Sequence, residues 1–301
     1  MKVVVAGGSG WLGRALCAAL VSEGADVVIL SRSPSPHGIA NGARAVQWDG
    51  RTLGLWADEI DGADAVVNLS GQAVASKRWT QRRKQELRDS RIEPTRALVG
   101  AIGQAQARPR VLVNASAVGY YGDRGDEPLT EISPPGNDFL ARLVVDWEHE
   151  AIAAAELGIR TVLLRCGIVL GRDGGALRPL SIPFQAFLGG HVGSGRQWVS
   201  WVHMDDVVGL FRLAIEREDA SGPINLTAPE TVTNRELSRS LGRVLGRPSW
   251  LPVPAFVLRL TLGEMAEALL ISQRVAPAVA EQLGYDFKYP LLETALRDAL
   301  R

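Results

Sequence analysis

Val3-Val4-Val5-Ala6-Gly7-Gly8-Ser9-Gly10-Trp11-Leu12-Gly13 is the stretch whose reading decides the fold of this 301-residue chain. Its four apolar residues read as a strand buried on both faces, since they are continuous rather than alternating. Three glycines at GxxGxxG spacing follow at once. Residues 11–22 then carry apolar side chains at 12, 15, 16, 19 and 20, a helical spacing that Gly24 ends. Gly7 lets the chain turn sharply off the strand, Gly10 permits backbone approach to a diphosphate, and Gly13 lets the helix pack closely on the sheet. The helix start adds unpaired N–H groups and the positive end of a dipole. A diphosphate is therefore expected on Gly7, Ser9, Gly10, Trp11, Leu12 and Gly13. The competing reading is a tight turn that binds nothing.

Outward from this loop, residues 27–30, 43–48 and 65–69 read as further strands buried on both faces, and 110–115 and 160–165 as two more. Residues 77–104 keep a weak helical period among many polar side chains, and 138–157 form a helix ended by Gly158. Strict alternation of strand and helix implies right-handed crossovers and a parallel sheet. The expected fold class is α/β: a doubly wound parallel sheet of the Rossmann type under a smaller, mostly helical C-terminal lid. The nucleotide-binding domain is expected over 1–170, with elements of about 197–230 returning to it and 171–301 forming the lid region. After Leu170 come the glycine-rich loops 171–175 and 188–195 around an apolar segment, 177–188. Proline-punctuated helical patterns fill 233–301.

Three further strand ends are expected to face the same ligand. At the end of the second strand, a fold preferring NAD places Asp or Glu against the ribose 2′-hydroxyl. Here the residues are Ser31-Arg32-Ser33, and Asp26 lies at the wrong end of the strand. The planar guanidinium of Arg32 suits a 2′-phosphate, so NADP(H) is expected in preference to NAD(H). Asp49 closes the third strand as a candidate acceptor for the adenine amino group. Asn68-Leu69-Ser70-Gly71 closes the fourth, where Gly71 allows close backbone contact.

Bulk properties narrow the partners. The chain carries 33 basic and 33 acidic side chains, so no net field draws it to nucleic acid or an anionic membrane. Cys17 and Cys166, far apart, form neither a disulfide framework nor a metal spacing, and no metal is expected. No apolar run approaches the roughly 20 residues of a membrane span. A cytoplasmic protein with a small-molecule substrate is expected; an oligomer is compatible with the sequence, as is a monomer.

These residues together resemble the extended, sugar-nucleotide-epimerase-like branch of the short-chain dehydrogenase/reductases. The glycine loop, Asn68–Gly71, Ser116 in Val113-Asn114-Ala115-Ser116-Ala117, and Val202-His203-Met204-Asp205-Asp206 carry that resemblance. Lys77-Arg78-Trp79, Gly119-Tyr120-Tyr121-Gly122, Asp146-Trp147-Glu148, Gly193-Ser194-Gly195-Arg196-Gln197 and Leu262-Gly263-Glu264-Met265 are similar to the atypical, YfcH-like epimerase family. The resemblance spans essentially the whole chain. It implies an oxidoreductase- or epimerase-like protein acting on a small polar, sugar-nucleotide-like substrate, with cofactor contacts also from Ala115, Arg165 and Gly167. It implies Ser116 as the hydroxyl that bonds the substrate oxygen. The superfamily's Tyr and Lys four residues apart are missing: Phe139 and Leu143 stand on the helix where that pair belongs, and no YxxxK occurs elsewhere. Phe139 cannot transfer a proton, a function typically worth 10²–10⁴ in rate. Tyr121 is the candidate replacement, with Arg142 supplying charge; the favoured reading of the Tyr120-Tyr121 pair is aromatic packing of a loop over the cofactor. Gln72, Arg78, Trp79, Gln197 and Trp198 are candidate substrate contacts, and Trp79 and Trp198 read equally as packing between lobes. His203 is read as structural, beside the Asp205-Asp206 helix start. The alternative function is a catalytically silent NADP(H) sensor or scaffold, an option kept open because some relatives of this subfamily are linked to cell or organelle division.

Overall fold

The structure, a computed structural model, describes residues 1–172 and 174–301; Asp173, in the glycine-rich loop 171–175, lies outside the described residues. β1 (Lys2–Ala6) feeds α1 (Trp11–Ser22), followed by β2 (Asp26–Ser31), β3 (Arg44–Gln47) and β4 (Ala65–Asn68). Next come α2 (Gln81–Gln104), β5 (Val111–Ala117), β6 (Pro128–Leu129), α3 (Phe139–Glu156), β7 (Arg160–Cys166) and β8 (Ile168–Leu170). α4 (Leu177–Gln185), β9 (Trp198–Val199), β10 (Trp201–His203), α5 (Met204–Glu216), β11 (Gly222–Leu226) and β12 (Val232–Thr233) follow. The C-terminal portion is mostly helical: α6 (Asn234–Leu245), α7 (Ala255–Leu262), α8 (Glu267–Leu270), the short β13 (Arg274–Val275), α9 (Ala278–Gln282) and α10 (Leu292–Ala299).

Seven strands make one parallel sheet in the order β3-β2-β1-β4-β5-β7-β11. Val4 pairs with Val28 on one side and Val66 on the other, which places β1 inside the sheet. The continuous apolar run of β1 is needed because both its faces are covered. Val3 and Val5 join a core with Leu16, Leu20, Leu210 and Phe211 of α1 and α5. Val4 and Ala6 join a second with Leu98, Ile102 and Ala151 of α2 and α3. A third core, around Trp201, Phe184, Leu241 and Leu296, holds the C-terminal portion together. The expected burial of the third strand on both faces is corrected: β3 is the sheet edge, with Arg44 and Gln47 exposed and only Ala45 and Val46 half-buried.

Strand order reverses between β1 and β4, so their carboxyl ends diverge into a crevice. Gly7 turns the chain there with φ +77°; a Cβ on it would lie 2.9 Å from the backbone of Leu69. Gly13 has no room at all, since an added Cβ would sit 2.4 Å from the Gly7 carbonyl oxygen and 2.6 Å from the Gly8 Cα. At its far end α1 closes on Gly24, φ +82°, whose N–H donates to the Val21 carbonyl.

Helix α2 begins at Gln81 rather than at Lys77, because the Thr80 hydroxyl accepts from the Arg83 N–H and caps it. Asp138 caps α3 in the same way, through Ala141 N–H at 2.9 Å.

Gly13→Ala is expected to lose about 2 kcal/mol or more of folding stability by urea unfolding, because backbone must shift to admit the methyl. Gly103→Ala in α2, where the new methyl meets only Leu157 at 3.5 Å, is expected to be neutral or to gain up to about 1 kcal/mol. Equal stability for the two variants would refute the close packing of α1 on the glycine turn.

Candidate functional site

The N-terminus of α1 opens into a cleft of about 890 Å³ at the β1–β4 crevice. Gly10 is the N-cap residue, extended at φ −72° and ψ 173°, and among the described residues no side chain caps the helix. The first turn contains no acidic residue either. Its free N–H groups and dipole therefore face the cleft without an internal anion. The Trp11 indole does not fill the space; its Nε1 donates to the Arg172 carbonyl at 2.9 Å, across the loop after β8.

Of the candidate cofactor contacts, Gly7, Ser9, Gly10, Ser31, Arg32, Asp49, Leu69, Ser70 and Gly71 line this cleft, together with Gln72. Ser31 closes β2, and its Oγ accepts from the Ser33 N–H at 3.2 Å, shaping the turn that carries Arg32. Arg32 is exposed at the cleft wall. Asp49 accepts from the Arg51 and Thr52 N–H groups at 2.8 and 2.9 Å and from the Thr52 hydroxyl at 2.6 Å. Those bonds, led by the Thr52 hydroxyl, lower its pKa to about 2. Asp49 thus holds its own loop with a carboxylate that stays ionised. Gln72 is anchored through its carbonyl oxygen to Arg83, and Arg91 reaches its backbone carbonyl from behind Gly71.

The other candidates sit elsewhere. Leu12 packs into the core beneath α1 and Gly13 against the turn. Asn68 is wholly buried, donating to Thr95 Oγ1 and Asn114 Oδ1 while its own Oδ1 accepts from the Ser70 N–H. It shapes the Ser70–Gly71 turn from below. The Ala115 carbonyl accepts from Asn114, and Gly167 lies tight against the Ser200 carbonyl.

Ser116, Tyr121 and Arg165 converge in a buried network behind the crevice. Ser116 Oγ donates to Glu148 Oε1 at 2.6 Å, and Arg165 grips both Glu148 oxygens at 2.8 Å. Arg165 also donates to Tyr121 Oη at 3.0 Å, and that hydroxyl donates to Asn225 Oδ1 at 2.7 Å. The rings of Tyr120 and Tyr121 meet edge-on at 5.3 Å, and the guanidinium lies 3.5 Å from the Tyr120 centroid. Burial pushes the Tyr121 pKa up, against the opposing pull of Arg165. Burial alone would lower that of Arg165, but its bonds to Glu148 and the carboxylate charge hold it above the usual arginine value. Ser116, Tyr121, Glu148, Arg165 and Asn225 are each at most 4% exposed.

At the head of α3, where the acid/base pair is missing, Trp79 meets Phe139 edge-on at 5.2 Å and the Lys84 ammonium lies 5.1 Å from the Phe139 centroid. Lys84 is ion-paired with Glu264, and Arg78 donates to the Leu260 carbonyl at 3.4 Å, so the start of α2 is tied to the C-terminal portion. Gln197 is buried and donates to the carbonyls of Val192 and Leu269, while Trp198 Nε1 donates to Asp126. They border a separate recess. His203 accepts from the Asp205 N–H and caps α5. Among the described residues no His, Cys, Asp and Glu cluster could hold a metal ion, and no helix is long and apolar enough to cross a membrane.

The sequence reading missed one wall of the cleft. Glu86, Asp89, Ser90 and Glu93 of α2 face it, with Arg51 from the loop after β3. The spacing of 86, 89, 90 and 93 is one helical face and was readable as such. Nothing in the sequence said which way that face points.

Glu148→Ala is expected to cost about 3–5 kcal/mol in urea unfolding, because it strands the Arg165 charge in the interior. Ser116→Ala, which removes one donor and leaves the ion pair, is expected to cost about 1 kcal/mol. Similar losses for both would show that the Arg165–Glu148 pair is not the network's anchor.

Comparison with known proteins adds the family. The model described as the NAD dependent epimerase/dehydratase family matches residues 3–227, and one described as a domain of unknown function (DUF1731) matches 253–299. The epimerase family protein SDR39U1 homolog, chloroplastic, of Arabidopsis thaliana is 42% identical, over 99% of this chain and 86% of that protein. The crystal structure of human epimerase family protein SDR39U1 (isoform 2) with NADPH is 35% identical and superposes with a TM-score of 0.89, covering 99% of each chain. A Corynebacterium glutamicum structure described as a nucleoside-diphosphate sugar epimerase is 34% identical with a TM-score of 0.81, covering 100% of this chain and 58% of that one. With a family model over residues 3–227 and whole-length relatives of this kind, the chain belongs to the NAD dependent epimerase/dehydratase family, among the SDR39U1-like epimerase family proteins.

Proposed function

We propose that this protein binds NADP(H), in preference to NAD(H), in the cleft above α1. The observation that carries the reading is the bare N-terminus of α1 over a turn that admits no side chain at Gly13. A diphosphate is the group that such a cradle fits. The amides of the Gly10–Gly13 turn would hold it, Arg32 would pair with the 2′-phosphate, and the Leu69–Gly71 turn would lie along the ribose. No carboxylate stands at the end of β2 to favour a free 2′-hydroxyl. The NADPH-bound human relative supports the same choice. The bound cofactor would supply a hydride donor or acceptor.

The substrate is proposed to be small and polar, of the sugar-nucleotide kind, in keeping with the family. Ser116 is the candidate residue nearest to catalysis. Its own proton is committed to Glu148, so it can offer a ligand only an acceptor lone pair. Tyr121 is assigned a structural role, because its hydroxyl is spent on Asn225 and Arg165 in the interior. Two free thiols, Cys17 buried and Cys166 half-buried, and a net charge of zero fit a reducing, cytoplasmic setting.

A second reading is favoured by one observation: Phe139 and Leu143 replace the acid/base pair, and both candidate hydroxyls are hydrogen-bonded inward. On that reading the protein senses NADP(H) without turning it over.

The wild-type chain is expected to bind NADPH at least about tenfold more tightly than NADH by calorimetry, as a charge-assisted phosphate contact would give. With NADPH loaded, carbonyl and sugar-nucleotide compounds are then screened by loss of nicotinamide absorbance. Turnover that falls in Ser116→Ala supports the enzyme; tight binding without turnover across the panel supports the sensor. Absence of binding to either nucleotide overturns both.

A further inference from the structure

Arg51 lines the cleft into which the uncapped helix opens, and so does Arg32. It sits on the loop after β3, and that loop is held in place. The Asp49 carboxylate accepts the Arg51 and Thr52 N–H groups, and Gly50, at φ +74°, lets the loop close on Pro94 of α2. The side chain is held as well: Arg51 Nε donates to Glu93 Oε2 at 2.6 Å. That bond uses one edge of the guanidinium. Neither terminal nitrogen of Arg51 has a hydrogen-bond partner among the described residues, and its side chain is 64% exposed. A guanidinium tethered through Nε, on a fixed loop, with its fork free over a polar cleft, is a preorganised receptor for a dianion. Arg32, at the end of β2, has no ion-pair partner among the described residues and faces the same space. Two carboxylates on this wall are already engaged, Asp49 by its own loop and Glu93 by Arg51, so neither guanidinium is neutralised by a bidentate partner.

We infer that Arg51 is a second specificity-determining residue, which together with Arg32 grips the 2′-phosphate of the dinucleotide, while Glu93 acts as its positioning residue. This rests on the cofactor reading above and deepens it: the preference for the phosphorylated ribose comes from two cations on different loops, not from the β2 turn alone. A competing role for Arg51 is stacking on the adenine, which both dinucleotides share equally.

Calorimetry on the full chain separates the two roles, using NADPH, NADH and 2′,5′-ADP as probes with wild type, Arg51→Ala, Arg51→Lys and Arg32→Ala. Arg51→Ala is expected to raise the Kd for NADPH and for 2′,5′-ADP about tenfold, leaving that for NADH within about twofold. Arg51→Lys, which keeps the charge and loses the fork, is expected to fall between. Thermal unfolding should match wild type, since the side chain is exposed. An Arg51→Ala variant that weakens NADPH and NADH alike, or neither, overturns the inference while leaving the cofactor reading intact. A wild-type chain that binds NADH as tightly as NADPH, with Arg32→Ala without effect, overturns the cofactor preference itself and this inference with it.

Discussion

At Gly13 the first helix rests directly on the backbone of the turn that precedes it, closer than any side chain would allow. That contact fixes where α1 starts, and the start is what the site is made of. Because the helix lies so low on the sheet, its N–H groups emerge at the carboxyl edge of β1, where strand order reverses and a crevice must open. The same placement sends the Trp11 indole outward, onto the carbonyl of Arg172, rather than over the crevice. Gly7 completes the arrangement by letting the turn pass within contact of Leu69. Remove the close approach, and the amides, the crevice and the flanking β4 turn no longer share one wall.

Behind the crevice lies a different kind of constraint. Arg165 and Glu148 form a buried, bidentate ion pair, and Ser116, Tyr121 and Asn225 hydrogen-bond to it or to one another. Such pairs add little net stability relative to apolar packing, yet each partner is costly to remove alone. The network therefore locks β5, β7, β11 and α3 in register around the end of the sheet. It also dictates chemistry. A hydroxyl whose proton is already given to a carboxylate cannot polarise a carbonyl by donation, and a phenol sealed at 0% exposure cannot shuttle protons to solvent. The aromatic head of α3, with the Lys84 ammonium beside Phe139, occupies the place where relatives of the wider superfamily are expected to keep their acid/base pair.

Much of the fold was legible because burial on both faces leaves a strong mark: residues 3–6, 27–30, 65–67, 111–113 and 162–164 are continuous apolar runs, and each falls in a parallel strand. Residues 43–48, where Arg44 and Gln47 interrupt the apolar side chains, form an edge instead, with both polar residues exposed. The backbone part of the cleft was legible too, as glycines and strand ends are local signals. Its α2 wall was not, because which helical face turns inward depends on packing against α3 and the sheet. Arg165 illustrates the same limit: its partners, Glu148, Tyr121 and the Glu131 carbonyl, come from segments 17, 44 and 34 residues away, so nothing adjacent in sequence reveals that it is spent on structure.

Everything in the proposed site turns on whether the bare N–H groups opening α1 receive a diphosphate. The most direct measurement is a crystal structure of the protein grown with NADPH. The diphosphate is expected against the amides of residues 10–13, with the adenosine half between the β2 and β3 loops. A nucleotide bound elsewhere, with this cradle holding only solvent, would contradict it.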